Sequence, residues 1–400
     1  KSTIGSGHPA LVIDCLIGAG PGHAGIRLRG DVANVRNWLK ESRGRNSPVL
    51  ACDMPTGLGG PDVIQATATV TYHAEKWALR TADGEVHPDV GEIHTANLPW
   101  SARVEDCGPG DARRHPPIRI DARKGDRGRL LIVGGGPYHG APILAGLAAE
   151  RSGCDLIHIA MPSDAVERAE WPLSLIPEPI PDTSHLTPLS VGPILDRVLT
   201  GRGCQAVLIG PGLGREDTSI DAVCELIEKL VEGNIPLVID ADAIRALPAH
   251  AWPIGMVGVV TPHANEMAHW LGASDPAEIL QIRARRDGIS RVVEDESCVI
   301  VRTGAEDALW APGGRHCFAI GGHARMSVGG TGDLLSGCIA GLIAQGMSPW
   351  SASRLGCALL RAAGASAALE YGPGLSASDV PSHIARTLAQ WTGQDADRDA

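Results

Sequence analysis

Short, nearly unbroken apolar runs alternate with longer stretches of helical period along most of this 400-residue chain. Runs at 10–17, 48–52, 68–72, 129–133, 156–160, 206–209, 237–239, 258–260 and 298–301 predict strands. They are apolar at consecutive rather than alternate positions, which predicts central strands covered on both faces. Between them, helical spacing predicts helices at 141–152, 218–232, 264–272, 275–287, 332–346 and 348–370. Strand–helix alternation of this kind gives an α/β protein with a mostly parallel sheet.

The pattern lapses in the polar stretch 101–117, which is rich in turn formers. It divides the chain into an N-terminal unit, 1–105, a linker, 106–120, and a larger unit, 121–391; a polar, acidic tail, 392–400, follows. No internal repeat of solenoid period is present.

Composition narrows the function. Lys and Arg total 35 against 46 Asp and Glu, a formal net charge of −11, and no Lys/Arg run exceeds two residues. Nucleic acid is therefore not an expected partner. Aromatic residues make up 3% of the chain, which argues against a binding site built mainly from stacking platforms. The ten cysteines are scattered singly with no C-x-x-C pair, so they read as reduced core residues of a cytoplasmic protein. No apolar stretch approaches the ~20 residues needed to cross a bilayer, and no signal peptide precedes the first unit. The chain opens at Lys1, without a methionine, close to its first strand pattern, as a processed product or a piece of a longer protein would.

Candidate chemistry collects at strand ends and glycine turns. The G-G-T-G-D segment at 329–333 runs into an apolar, small-residue helix. Unsatisfied amides at such a helix start make an anion site, and Asp333 there serves either phosphate chemistry or a helix cap. Glycine turns follow the strands at 129–133 and 206–209. With the 329–333 loop on the same sheet edge they would form a nucleotide crevice. D-A-D-A at 240–243 ends another strand, with structural capping and ligand contact both open. T-P-H-A-N-E-M at 261–267 sets His263 and Glu266 at a strand–helix junction, again open to either reading. In the first unit, Asp14 and Asp53 each end a strand and precede a glycine-bearing loop.

Taken in order, seven motifs resemble the ADP/ATP-dependent NAD(P)H-hydrate dehydratases, a family of ribokinase-like kinases. They are K-G-D-x-G-R-x-L-I-V-G-G (124–135), G-A-P-I-L-A (140–145), I-G-P-G-L-G (209–214), D-A-D-A (240–243), T-P-H-x-x-E-M (261–267), G-G-T-G-D (329–333) and G-P-G-L-x-A-S-D (372–379). The stretch 10–99 is similar to the back two-thirds of an NAD(P)H-hydrate epimerase domain, so the chain resembles the bifunctional NAD(P)H-hydrate repair family. The resemblance implies a ribokinase-like three-layer α/β/α domain preceded by a partial Rossmann-like α/β domain.

It also implies a reaction. NADHX or NADPHX carries water added across a ring double bond, and the family removes it from the S-epimer by phosphorylation from ADP or ATP with Mg2+. Asp333 would be the base and the amides of Gly330, Thr331 and Gly332 would steady the phosphoryl group. Ala141, Gly212, Gly214 and His263 match hydrate contacts. Arg302, Thr303, Gly304, Ala305 and Glu306, with Gly332, match the adenine-nucleotide site, and Glu266 is a candidate for the magnesium shell. In the first unit Asp14 and Thr56 match a potassium site, while Gly18, Ala19, Gly20 and Asp53 match hydrate contacts. A homo-oligomer acting on a small molecule is expected.

There are departures. The family's lysine-glycine reads Arg302-Thr303-Gly304, and arginine keeps the charge but not the geometry. Arg245 stands where an asparagine is expected. The epimerase-like unit lacks the family's N-N-G-G-D-G loop, which implies an incomplete, inactive epimerase half. Two other functions compete: another ribokinase-like small-molecule kinase, such as a hydroxymethylpyrimidine or thiazole kinase, or a non-catalytic nucleotide-binding protein.

Overall fold

The computed structural model describes residues 9–18, 27–42, 47–72, 75–81, 84–96, 105–281 and 296–393. The chain forms two compact units, Lys1–Val104 and Glu105–Ala400.

The first unit holds a parallel sheet in sequence order: β1 (Val12–Asp14), β2 (Val49–Cys52), β3 (Ala68–Tyr72) and β4 (Glu92–Ala96). Helix α1 (Gly30–Ser42) links the first two strands. A small core of Val12, Leu39, Val49 and Ile64 joins helix to sheet.

The second unit is built on nine strands: β5 (Arg129–Val133), β6 (Leu156–Pro162), β7 (Ile176–Ile180), β8 (Ala206–Ile209), β9 (Leu237–Ile239), β10 (Gly258–Val260), β11 (Cys298–Arg302), β12 (Asp307–Ala311) and β13 (Arg315–Ala319). Their order is 13-12-11-10-9-8-5-6-7, parallel except that β12 is antiparallel to both β11 and β13. Among the described residues its helices are α2 (Gly140–Arg151), α3 (Ser163–Arg168), α4 (Val191–Leu199), α5 (Asp217–Glu232), α6 (Ala264–Leu271), α7 (Pro276–Gln281), α8 (Thr331–Ala344), α9 (Pro349–Tyr371) and α10 (Val380–Thr392).

Consecutive apolar residues in the strands explain the three layers. In β5, Leu130 and Ile132 enter one core with α2, α8, α9 and α10, while Leu131 and Val133 enter a second core with α4, α5 and α6. Successive side chains of a strand point to opposite faces, so an all-apolar strand needs helices on both sides.

The predicted helix at 275–287 begins as α7, and its continuation past 281 lies outside the described residues. So do 394–400 of the predicted tail, which is helical up to Thr392. The predicted linker is corrected in its first half. From Glu105 the chain belongs to the second unit, and Pro109–Arg114 forms a 3-10 helix. The backbone N–H of Cys107 donates to Phe318 O (2.8 Å), and Phe318 N donates to Asp106 Oδ1 (3.0 Å), so this segment caps the edge strand β13. Buried Asp111 accepts from Arg354 Nε at 2.8 Å. Polar residues that suggest a linker are here the partners of an edge strand and a buried ion pair.

Candidate functional site

Strand β5 lies between β6 and β8, so the chain winds away from it in both directions and leaves a crevice at the strand C-termini. The turns leaving β5 and β8 interlock there. A Cβ on Gly134 would stand 2.2 Å from Pro211 O, and one on Gly212 would stand 2.0 Å from Tyr138 O. Glycine at these two positions is required by backbone approach alone. The same interlock sets Ala141, in the first turn of α2, beside Gly212: a Cβ there would lie 3.2 Å from that of Ala141.

Asp333 sits in the first turn of α8, partly buried. Burial, and secondarily the charge of Asp240, push its carboxyl up to about 7. Asp240 follows β9 and is buried; desolvation raises it to about 6 against hydrogen bonds from Ser336 and Thr261, with Glu266 adding negative charge. The Thr261 hydroxyl donates to Asp240 Oδ1 at 2.8 Å. Three motifs separated in sequence, D-A-D-A, T-P-H-x-x-E and G-G-T-G-D, thus converge electrostatically on one place. A carboxyl held near neutrality is suited to accept a proton from an alcohol.

The glycines of 329–333 separate into two kinds. Gly330 has φ +97°, and a Cβ on it would lie 2.6 Å from Leu144 Cδ1, so the fold demands it. Gly329 and Gly332 have neither a left-handed backbone nor any atom within 4 Å of a hypothetical Cβ. Among the described residues nothing accounts for glycine there, whereas a ligand approaching the helix start would. The G-P-G-L-x-A-S-D motif supports this loop: Ala377 packs against Gly330, and Asp379 Oδ2 accepts from Ser376 N at 2.8 Å.

His263 and Glu266 form a reciprocal cap on α6. Glu266 N donates to His263 Nδ1 at 3.0 Å, and His263 N donates to Glu266 Oε2 at 2.9 Å. The cap fixes both side chains at the crevice, and Thr303 N donates to Pro262 O at 2.9 Å, tying the junction to the end of β11. The capping reading of this motif is thus seen in the structure.

Beside Gly332 opens a cleft of about 640 Å³, lined by Gly304, Ala305, Gly321, Gly322, Met326, Thr331 and Arg361 among others. Of the predicted nucleotide residues, Gly304, Ala305, Thr331 and Gly332 line it. Arg302 does not; its guanidinium lies over the Trp310 ring, 5.8 Å from the centroid. Arg245 Nη1 donates to Arg215 O at 3.4 Å, away from this cleft. Sequence reasoning missed Gly321, Gly322, Met326 and Arg361. Arg361 left a signal, a lone cation in the otherwise uncharged stretch 355–369 of α9.

In the first unit Asp14 and Thr56 meet. Thr56 N donates to Asp14 Oδ2 at 2.8 Å and its hydroxyl donates to Oδ1 at 2.7 Å. Gly18 closes on Asp53, where a Cβ would lie 3.2 Å from Oδ2, and Asp53 pairs with Lys76 Nζ at 3.0 Å. Ala19 and Gly20 lie outside the described residues. Among the described residues no three His, Cys, Asp or Glu side chains converge as a metal cluster, and no helix is long and apolar enough to cross a membrane.

Comparison with known proteins bears on the same segments. The family model described as NAD(P)H-hydrate dehydratase matches residues 130–386, and that described as YjeF-related protein N-terminus matches 1–78. The bifunctional NAD(P)H-hydrate repair enzyme Nnr of Hyperthermus butylicus is 34% identical over 397 residues, covering 94% of this chain and 70% of that protein. The ADP-dependent (S)-NAD(P)H-hydrate dehydratase of Cenarchaeum symbiosum is 34% identical over 278 residues, 68% of this chain and 93% of that one. A crystal structure of the ADP/ATP-dependent NAD(P)H-hydrate dehydratase from Bacillus subtilis, co-crystallized with ATP/Mg2+, shares the fold of the second unit. Its TM-score is 0.55 at 24% identity, covering 71% of this chain and 97% of that one. With the match running through every strand and turn that forms the crevice, the chain belongs to the NAD(P)H-hydrate dehydratase family.

Proposed function

We propose that the chain repairs hydrated nicotinamide nucleotides, dehydrating the S-epimer of NADHX or NADPHX at the expense of ADP or ATP. The observation that carries this reading is Asp333, held near neutrality at a helix start whose Gly329 and Gly332 leave open space. Hydroxide is a poor leaving group. Asp333 takes the proton of the hydrate hydroxyl as its oxygen attacks the terminal phosphorus of the nucleotide. The helix-start amides at 330–332 steady the charge on the transferred group. The ring nitrogen lone pair then expels phosphate, the neighbouring ring carbon loses a proton, and the reduced nicotinamide is restored.

Ala141, Gly212, Gly214 and His263 are assigned to the hydrate. Gly304 and Ala305, which face the cleft, are assigned to the nucleotide with Gly330, Thr331 and Gly332, and Thr303 and Glu306 beside them. A magnesium ion suits the acid cluster when nucleotide phosphates supply most of its oxygens, as it does elsewhere, and Glu266 is the residue to hold it. Bound there, it would neutralise phosphate charge. In the first unit the all-oxygen pair Asp14 and Thr56 suits a potassium ion, next to the Gly18–Asp53 contact assigned to a hydrate. A cytoplasmic homo-oligomer belongs to the same proposal; Leu173, just before the edge strand β7, is exposed, and light scattering would read the assembly.

The test is incubation with NADHX and ADP while following NADH absorbance. Recovery of NADH is expected. No NADH, with phosphorylation of a vitamin-precursor alcohol, would replace this reading by a small-molecule kinase. Nucleotide binding with neither turnover would leave a binding protein.

A further inference from the structure

We propose that Arg361 is the positioning residue of the nucleotide cleft, one buried guanidinium holding the two loops that form its walls at a fixed separation. The inference rests on the nucleotide reading of that cleft. Arg361 comes from the middle of α9 and is 8% exposed. Its Nε donates to Asp307 Oδ2 at 2.7 Å, at the start of β12. Nη2 donates to Gly304 O at 2.9 Å, and Nη1 donates to Ala305 O at 2.8 Å and to Gly321 O at 2.9 Å. Asp307 in turn accepts from Gly304 N through Oδ1 at 3.3 Å. The loop 303–306 and the loop after β13 are thereby tied to one planar group, and both line the cleft.

Burying a cation is costly unless several acceptors surround it, and an apolar residue would serve a purely packing role better. What the guanidinium adds is geometry. A trans peptide holds its C=O and N–H on opposite sides. Carbonyls of Gly304, Ala305 and Gly321 turned toward Arg361 therefore turn the amides of Ala305, Glu306 and Gly322 away from it, as donors for a nucleotide's acceptors. The helix is shaped around the same cleft: a Cβ on Gly364, one turn past Arg361, would lie 2.3 Å from the sulfur of Met326, another lining residue. Lysine keeps the charge and can reach Asp307, but it cannot address three carbonyls in one plane.

The test compares wild type, Arg361→Lys and the charge-neutral double variant Arg361→Gln/Asp307→Asn. Each is measured for ADP affinity by calorimetry, for KM and kcat with NADHX, and for Tm. Arg361→Lys is expected to raise the Kd and KM for ADP about tenfold while kcat stays within about twofold, because the phosphoryl-transfer groups are untouched. If Arg361→Lys unfolds, the double variant, which leaves no unpaired buried charge, is expected to show the same split. Unchanged ADP affinity in whichever variant is folded would overturn the proposal, as would a fall in kcat at unchanged KM. Wild type that binds ADP without converting NADHX would sink the dehydratase reading and leave the affinity comparison to decide Arg361. Wild type that binds no adenine nucleotide would end both.

Discussion

Burial keeps Asp333 and Asp240 above the ordinary carboxylate range, at about 7 and about 6, with the charge of Asp240 adding to the rise at Asp333 and that of Glu266 to the rise at Asp240. A base must be ionised to work, so turnover should rise with pH through the region of 7 and fall below it as Asp333 is protonated. Removing the neighbouring charge with Asp240→Asn favours the ionised form of Asp333 and should move that acid limb to lower pH; a limb that stays in place would detach Asp240 from the site. Asp333→Asn should lower kcat by about a thousandfold while leaving ADP affinity nearly intact, read by paired kinetics and calorimetry. At this scale the acids were legible because each ends an apolar strand or opens a helix. The effect of Asp240 on Asp333 was not, since it depends on which strand ends and helix starts the topology brings together. Arg302 shows the converse: the resemblance implied the nucleotide, but Trp310, two positions along β12 from the residue paired with Arg302, takes the guanidinium.

At the scale of elements, α8 carries two kinds of glycine that a pair of substitutions would separate. Gly337 lies where α8 crosses α2 so closely that an added Cβ would stand 2.0 Å from Ala145 O. Gly337→Ala should therefore destabilise the fold by about 2–3 kcal/mol, seen as a lowered midpoint in denaturant. Gly332→Ala meets no atom of the protein, so its stability should change by less than about 0.5 kcal/mol while kcat/KM falls about tenfold or more. Equal effects on stability would remove the distinction drawn between them. The central strands were legible almost residue by residue because apolar side chains fill most of a two-sided core. Edge elements were not. Strand β7 carries Pro177 and Pro179, tolerated only because it lies at the sheet edge. Strands β12 and β13 mix Asp307, Arg315 and His316 with apolar residues, and the polar segment 105–107 that covers β13 resembles a linker until its partner is seen.

At the scale of the whole molecule, the second unit brings to one sheet edge the turns after β5 and β8, the acid after β9, the cap after β10 and the helix start of α8. Motif order in the sequence foretold these parts; the strand order 11-10-9-8-5 explains why they meet. The central claim is that the hydrate's oxygen leaves as part of phosphate. The most direct measurement uses hydrate labelled with oxygen-18 in its ring hydroxyl, incubated with the full chain and ADP, with NADH and inorganic phosphate both analysed. The account predicts one labelled phosphate for each NADH formed. Label released into water alongside NADH, with unlabelled phosphate, would contradict it.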